Sequence, residues 1–211
     1  MSAFPIEKRD QRMTLGAPLR WARKSDANEM AELINFAGEG LPLYLWSSMN
    51  DGTRSDWEIG RERAQRDFGS FSYRNTVVSD RAGRAIAALI GYDLPSEADP
   101  SVYVDMPKMF VPLQELEDLA LSTWYVNVLA AYPAYRGQGH GTQLLGVAKR
   151  IALDRGCTGL SIIVSDQNHG ARRLYERFGF RETARRDIVK DDWEHNGNEW
   201  VLMIKREISH Q

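Results

Sequence analysis

Cysteine is almost absent: Cys157 is the only one in 211 residues, which excludes an internal disulfide and a cysteine-built metal centre and agrees with a reducing compartment. Charge of either sign is not in excess, since 27 Lys plus Arg stand against 29 Asp plus Glu for a formal net charge of -2. No overall basic field therefore draws the molecule to nucleic acid or to an anionic membrane. Nothing approaches the ~20 consecutive apolar residues of a membrane span, and Met1 to Arg20 lack the apolar stretch of a signal peptide. A cytoplasmic location is the expectation. Internal repeats and low-complexity tracts are also missing.

What is present is the balance of a folding chain, 43% hydrophobic and 27% charged. At about 100–200 residues per domain, one domain over residues 19–208 is expected behind a polar tail, residues 1–18. Cys157, between a helix and a strand, reads as a small packing residue rather than a nucleophile.

Leu19 to Arg23 read as a short strand. Ser25 or Asp26 can cap a helix carrying Met30, Leu33, Ile34 and Ala37 at helical spacing, with Gly38 and Gly40 as its stop. Leu41 to Trp46 is apolar but opened by a proline, and Trp57 to Phe68 reads as a second helix. Residues 75–79 and 84–93 flank Asp80-Arg81-Ala82-Gly83, a turn that suggests an antiparallel hairpin. Between 94 and 121, Pro95, Pro100, Pro107 and Pro112 break any long element, yet Val102, Val104, Met109, Phe110 and Leu113 are too apolar for a solvated linker. We read a packed insertion, with Leu113, Leu116 and Ala120 on one helical face of its last part.

Alternation then sharpens: Trp124, Val126 and Val128 point one way along a strand, Tyr125, Asn127 and Leu129 the other. A turn from Ala131 to Gly139 leads into a helix from about Thr142 to Arg155, then a buried strand, Leu160 to Val164. Asn168 is placed to cap a further helix with Ala171, Leu174, Tyr175 and Phe178 on one face and Gly179 as its left-handed stop. Two strands, roughly 180–189 and 199–206, complete an α/β (mixed α+β) order with a mixed sheet.

Chemistry concentrates in Arg136-Gly137-Gln138-Gly139-His140-Gly141, between a strand and a helix. Absent side chains at Gly137, Gly139 and Gly141 let a phosphate approach the backbone, where the open N–H groups and dipole of a helix start favour an anion. Strand-to-helix turns need glycine for steric reasons too, so a second signal is required. The dinucleotide fingerprint G-x-G-x-x-G does not fit this spacing, and the Lys-Ser/Thr of nucleotide triphosphatases is missing.

The segment resembles motif A of the GNAT superfamily of N-acetyltransferases, Q/R-x-x-G-x-G/A, which Arg136, Gly139 and Gly141 match. The preceding Leu129-Ala130-Ala131-Tyr132-Pro133 looks like the end of that family's fourth strand. Asn168 to Phe180 resembles its motif B, N-x-x-A-x-x-L-Y-x-x-x-G-F, and the stretch between accommodates one helix and one strand. The resemblance covers Trp124 to Phe180 closely, the rest by element order, and the 94–121 insertion not at all. It implies a mostly antiparallel twisted sheet flanked by helices, acetyl-CoA as co-substrate without a metal, an amine acceptor, and a homodimer.

By position, the resemblance assigns the backbone of Leu129 and Ala131 to the pantetheine arm and Arg136, Gly137, Gln138, Gly139, His140 and Gly141 to the pyrophosphate. Asn168 falls to the pantetheine or thioester region, or serves as a plain helix cap. Tyr175 matches the general acid that protonates the leaving thiolate, the alternative being a core residue beside Leu174 and Phe178. Arg172 and Arg173 are candidates for the 3′-phosphate or exposed charges.

One departure concerns the base. Where several relatives carry a strand glutamate, this chain has Tyr125, with Asn127 next on the same face, and neither is a good base near neutral pH. A water chain to Asp93 or Asp166 would serve, or approximation alone could suffice. The missing glutamate also keeps open a non-catalytic sensor or scaffold that holds acetyl-CoA. Leu43, Tyr44, Leu45, Trp46 and Met49 could wall an acceptor pocket or form a packed lid. Asp191, Asp192 and Glu194 could attract a cationic amine or stay solvated.

Overall fold

A computed structural model describes residues 12–206 and residue 208; most of the expected tail, residues 1–11, lies outside the described residues. In chain order the elements are β1 (Leu19–Trp21), α1 (Ala27–Ala37), α2 (Leu41–Ser48), α3 (Asp56–Gln65), β2 (Thr76–Arg81), β3 (Arg84–Asp93), α4 (Val111–Glu117), β4 (Trp124–Ala131), α5 (His140–Asp154), β5 (Leu160–Ser165), α6 (His169–Phe178), β6 (Arg181–Asp187) and β7 (Glu199–Lys205). The strands form one seven-stranded sheet in the order β1-β2-β3-β4-β5-β7-β6. Only β4 and β5 run parallel; every other neighbouring pair is antiparallel. This is the mixed, mostly antiparallel sheet expected.

Helical spacing and strand alternation explain how the faces are covered. Leu144, Leu145, Ala148 and Ile151 turn one stripe of α5 onto Ala87, Leu89, Trp124 and Val126, and Tyr175 of α6 joins the same cluster. On the opposite face Met30, Leu33 and Ile34 of α1 and Ile59 of α3 cover Val78, Ala88 and Ile90. The proline-opened stretch is itself helix α2, because Pro42 falls in the first turn, where a missing N–H costs no helical bond.

The insertion does pack. Met109, Leu116 and Ala120 close a third cluster over Tyr125, Trp200, Leu202 and Ile204. Burial in that cluster, with help from the neighbouring Asp118 charge, pushes the Glu117 carboxyl up to about 7. An unfolded carboxyl titrates near 4.3, so between these values the folded chain binds more protons than the unfolded one, and stability falls as pH rises through that window. Glu117→Gln is therefore expected to raise stability at pH 8 by about 1 kcal/mol, roughly 2–4 °C in Tm, relative to its effect at pH 4.5. Thermal melts at the two pH values check it.

One expectation fails on β4. Against β3 the register steps from Ile90↔Val128 to Gly91↔Val126, which leaves Asn127 as the extra residue of a bulge. Side chains beyond it change faces: Leu129 and Ala131 stay with Trp124 and Val126 under α5, while Val128 and Ala130 turn to α1. Both faces are apolar here, so the residue pattern carries no mark of the inserted position.

Candidate active site

Although β4 and β5 are neighbours, they pair only through Trp124↔Leu160, Tyr125↔Ser161 and Val126↔Ile162. Beyond the Asn127 bulge the strands part, and the gap floors a cavity of about 1240 Å³. Tyr132 N–H donates to Ile86 O, so strand alternation directs the backbone groups of Leu129 and Ala131 away from β3 and into the gap. A strand edge is thus left open inside the molecule.

At the start of α5, Gly137 and Gly139 sit at φ 74° and 88°, the left-handed region that other residues rarely adopt. The N–H groups of residues 139–142 find no acceptor among the described residues, as expected of the four donors that a helix start leaves open. Arg136, Arg173 and Arg177 border the same cavity, adding positive charge to the favourable end of the dipole. Gly141 answers a different demand. A Cβ there would lie 2.7 Å from Leu174 Cδ2, so glycine lets α5 and α6 close together rather than clearing a path for a ligand.

Asn168 caps α6, its Oδ1 accepting from Ala171 N–H at 3.1 Å. Two turns later Tyr175 packs its ring against Phe180, centroids 5.8 Å apart, while bordering the cavity. Burial, and after it the negative charge of Glu39, push the phenol well above its ordinary value. Tyr175 therefore carries its proton throughout the physiological range.

Glu39 reaches this point from the turn between α1 and α2, where it holds φ 51°. Asn168 Nδ2 donates to its Oε1 and His195 Nε2 to its Oε2, each at 2.6 Å. Gly197 N–H donates to His195 Nδ1 at 3.0 Å, so that nitrogen keeps its lone pair and Nε2 carries the proton. Trp193 stacks on the imidazole with centroids 4.3 Å apart. Among the described residues no group of three or more His, Cys, Asp or Glu is placed to hold a metal ion, and no helix is long and apolar enough to cross a membrane.

The model of the Acetyltransferase (GNAT) family matches residues 44–180. The chain belongs to that family. It is similar to thialysine N-epsilon-acetyltransferase of Bos taurus, 36% identical over 66 residues, which is 29% of this chain and 39% of that protein. The chain therefore spans well under half of that relative. L-2,4-diaminobutyric acid acetyltransferase of Streptomyces coelicolor is 28% identical over 148 residues, 64% of this chain and 74% of that one. In fold it is similar to a solved acetyltransferase (TM-score 0.62, 23% identity, 90% of this chain and 99% of that one). It is also similar to the Salmonella typhimurium protein yncA, solved with its cofactor acetyl-CoA (TM-score 0.56, 20% identity, 89% and 92%).

In this GNAT chain, Leu129, Ala131, Arg136, Gly137, Gly139, His140, Gly141, Asn168 and Tyr175 all border the cavity. Gln138 does not, because its amide turns back to donate to Ala134 O at 2.9 Å. His140 is tied by Nδ1 to Ser79 Oγ at 3.1 Å, which orients its ring. Arg136 Nε donates to Ala131 O at 3.2 Å, so Ala131 has its N–H left to offer.

Neither carboxylate weighed as a base borders the cavity. Asp93 pairs with Arg155 at 3.1 Å and faces Cys157, and Asp166 pins the last hairpin by accepting from Asn198 N–H. Cys157 is half-buried, and burial followed by the Asp93 charge pushes its thiol up to about 12, the state of an inert packing residue. Tyr125 is buried in the cluster beneath α4, whereas Asn127 borders the cavity. None of residues 43–46 borders this cavity; Trp46 is buried, Leu43, Tyr44 and Leu45 are half-buried against the core clusters, and Met49 is exposed. From the last turn Glu194 borders the cavity; Asp191 and Asp192 do not. Arg172 is held by Glu182 at 2.8 Å, leaving Arg173 on the cavity. The sequence reading missed Glu39 and His195. Their only local sign is that Glu39 stands between Gly38 and Gly40.

Proposed function

We propose that this chain is an N-acetyltransferase that moves an acetyl group from acetyl-CoA to a primary amine by direct transfer through a ternary complex. The observation that carries the reading is one cavity uniting the open N–H groups of residues 139–142, the unpaired edge at Leu129 and Ala131, and a protonated Tyr175. Bound acetyl-CoA would supply an activated acetyl thioester. The turn from Arg136 to Gly141 would hold its pyrophosphate through backbone N–H groups, with Arg173 and Arg177 nearby. The backbone of Leu129 and Ala131 would hold the pantetheine arm as an added strand does. Tyr175 would give its proton to the leaving sulfur. The names of the relatives, both acting on amines that carry an amino acid backbone, put thialysine and L-2,4-diaminobutyrate first on the acceptor panel.

Calorimetry with acetyl-CoA, followed by thiol release over an amine panel led by those two, tests the reading. Micromolar binding and release that depends on an amine are expected. Binding without release from any amine would favour a sensor, and no binding would end the proposal.

A further inference from the structure

Glu39 is so placed that we infer a second chemical role on this cavity: its carboxylate takes the ammonium proton of the acceptor amine, held ready by Asn168 and His195. The inference rests on the acetyltransferase reading above. It fills the place left open by the missing strand glutamate.

Three observations converge on it. Among the described residues two side-chain carboxylates border the cavity, Glu39 and Glu194. Glu194 is exposed, whereas the Glu39 side chain is 29% exposed and each oxygen is fixed by one N–H donor at 2.6 Å. A carboxylate offers about four lone-pair sites, so two donors orient it and leave capacity for a ligand. His195 is not an alternative acceptor, because Nδ1 is occupied by Gly197 and Nε2 carries the proton.

Secondly, the Glu39 charge is felt at Tyr175, so the two groups act on one space with opposite capacities: a phenol that can give a proton and a carboxylate that can take one. Thirdly, Asn168 and His195, the two donors that fix Glu39, themselves border the cavity. Trp200, an aromatic residue of a kind that suits a cation, also borders the cavity. The remaining charged or titratable groups there are Arg173 and Arg177 of α6 and Tyr135, Arg136 and His140 around the start of α5.

The protons balance. An acceptor R–NH3+ passes one proton to Glu39, and the nitrogen lone pair forms a C–N bond to the thioester carbonyl carbon. The C–S bond breaks with its electron pair on sulfur, which takes the Tyr175 proton. The second proton on nitrogen restores Tyr175 through solvent, and Glu39 releases its own to solvent. The products are an amide, a free thiol and one proton.

The test uses Glu39→Gln, with Glu39→Asp as a variant that keeps the charge, and the panel amine that the wild type turns over fastest. At pH 7, Glu39→Gln is expected to lower kcat by ~10²-fold with acetyl-CoA affinity within about twofold by calorimetry, and Glu39→Asp to recover part of the rate. The deficit should shrink to under ~5-fold at pH 10, because an alkyl amine near pKa 10.4 then arrives in part deprotonated. In proton–nitrogen spectra of coenzyme-free protein, the His195 Nε2–H signal should be present in the wild type and lost to exchange in Glu39→Ala. Wild-type kcat in Glu39→Gln at pH 7, or a deficit equal at pH 7 and 10, would overturn the proton-accepting role while leaving the acetyltransferase intact. A wild type that binds no acetyl-CoA would remove both.

Discussion

Tyr175→Phe is expected to cut kcat by ~10²–10⁴-fold, the usual worth of a positioned acid, with acetyl-CoA affinity almost unchanged. The separation follows from how the residue is built in. Its ring belongs to the cluster beneath α5 and packs on Phe180, and phenylalanine fills the same space, so the fold should lose less than ~1 kcal/mol. Only the hydroxyl is removed. Amine attack on a thioester leaves a thiolate, and in the variant no phenol stands by to neutralise it. The cradle at residues 139–142 lies on a different element and is untouched. Steady-state thiol release alongside calorimetry measures both quantities; a variant with full kcat would reduce Tyr175 to a packing residue.

Gly139→Val should act the other way round, raising the Kd for acetyl-CoA by ~10²-fold or more. At φ 88° a β-branched residue is strained by about 1–2 kcal/mol, and the turn relieves that strain by rotating. The four open N–H groups then cease to point together. Each charge-assisted hydrogen bond contributes roughly 1.5–3 kcal/mol, so losing one or two accounts for the expected change. Gly141→Ala is the contrasting variant, since its new methyl meets the flexible end of Leu174 and leaves the backbone as it is. Isothermal titration of both variants checks the contrast: equal losses would mean that tight helix packing, not backbone conformation, makes the cradle.

Much of the fold was legible because the rules behind it are local. Leu144, Leu145, Ala148 and Ile151 recur at helical spacing and do line the buried stripe of α5. Gly179 at φ 98° ends α6 as a left-handed stop, and Asn168 opens it. The candidate cradle was legible for the same reason, since a glycine turn between strand and helix determines its own backbone. Where both sides of an element are apolar, that legibility ended: the bulge at Asn127 altered the facing of every later β4 residue without altering their hydrophobicity. Residues 41–46 were ambiguous for a related reason, since a short apolar run suits a pocket wall and a core helix equally.

By itself the sequence determined most of the elements, their order, the glycine-bearing start of α5 and the Asn168 cap of α6, because helix spacing, capping and left-handed stops act over a few residues. Tertiary structure alone decided that β4 and β5 part beyond three paired positions, and that Glu39 meets Asn168 and His195 across 129 and 156 residues of chain. A hydrogen bond formed at that separation depends on where the packed sheet and helices carry its partners, and no pattern of neighbouring residues encodes it.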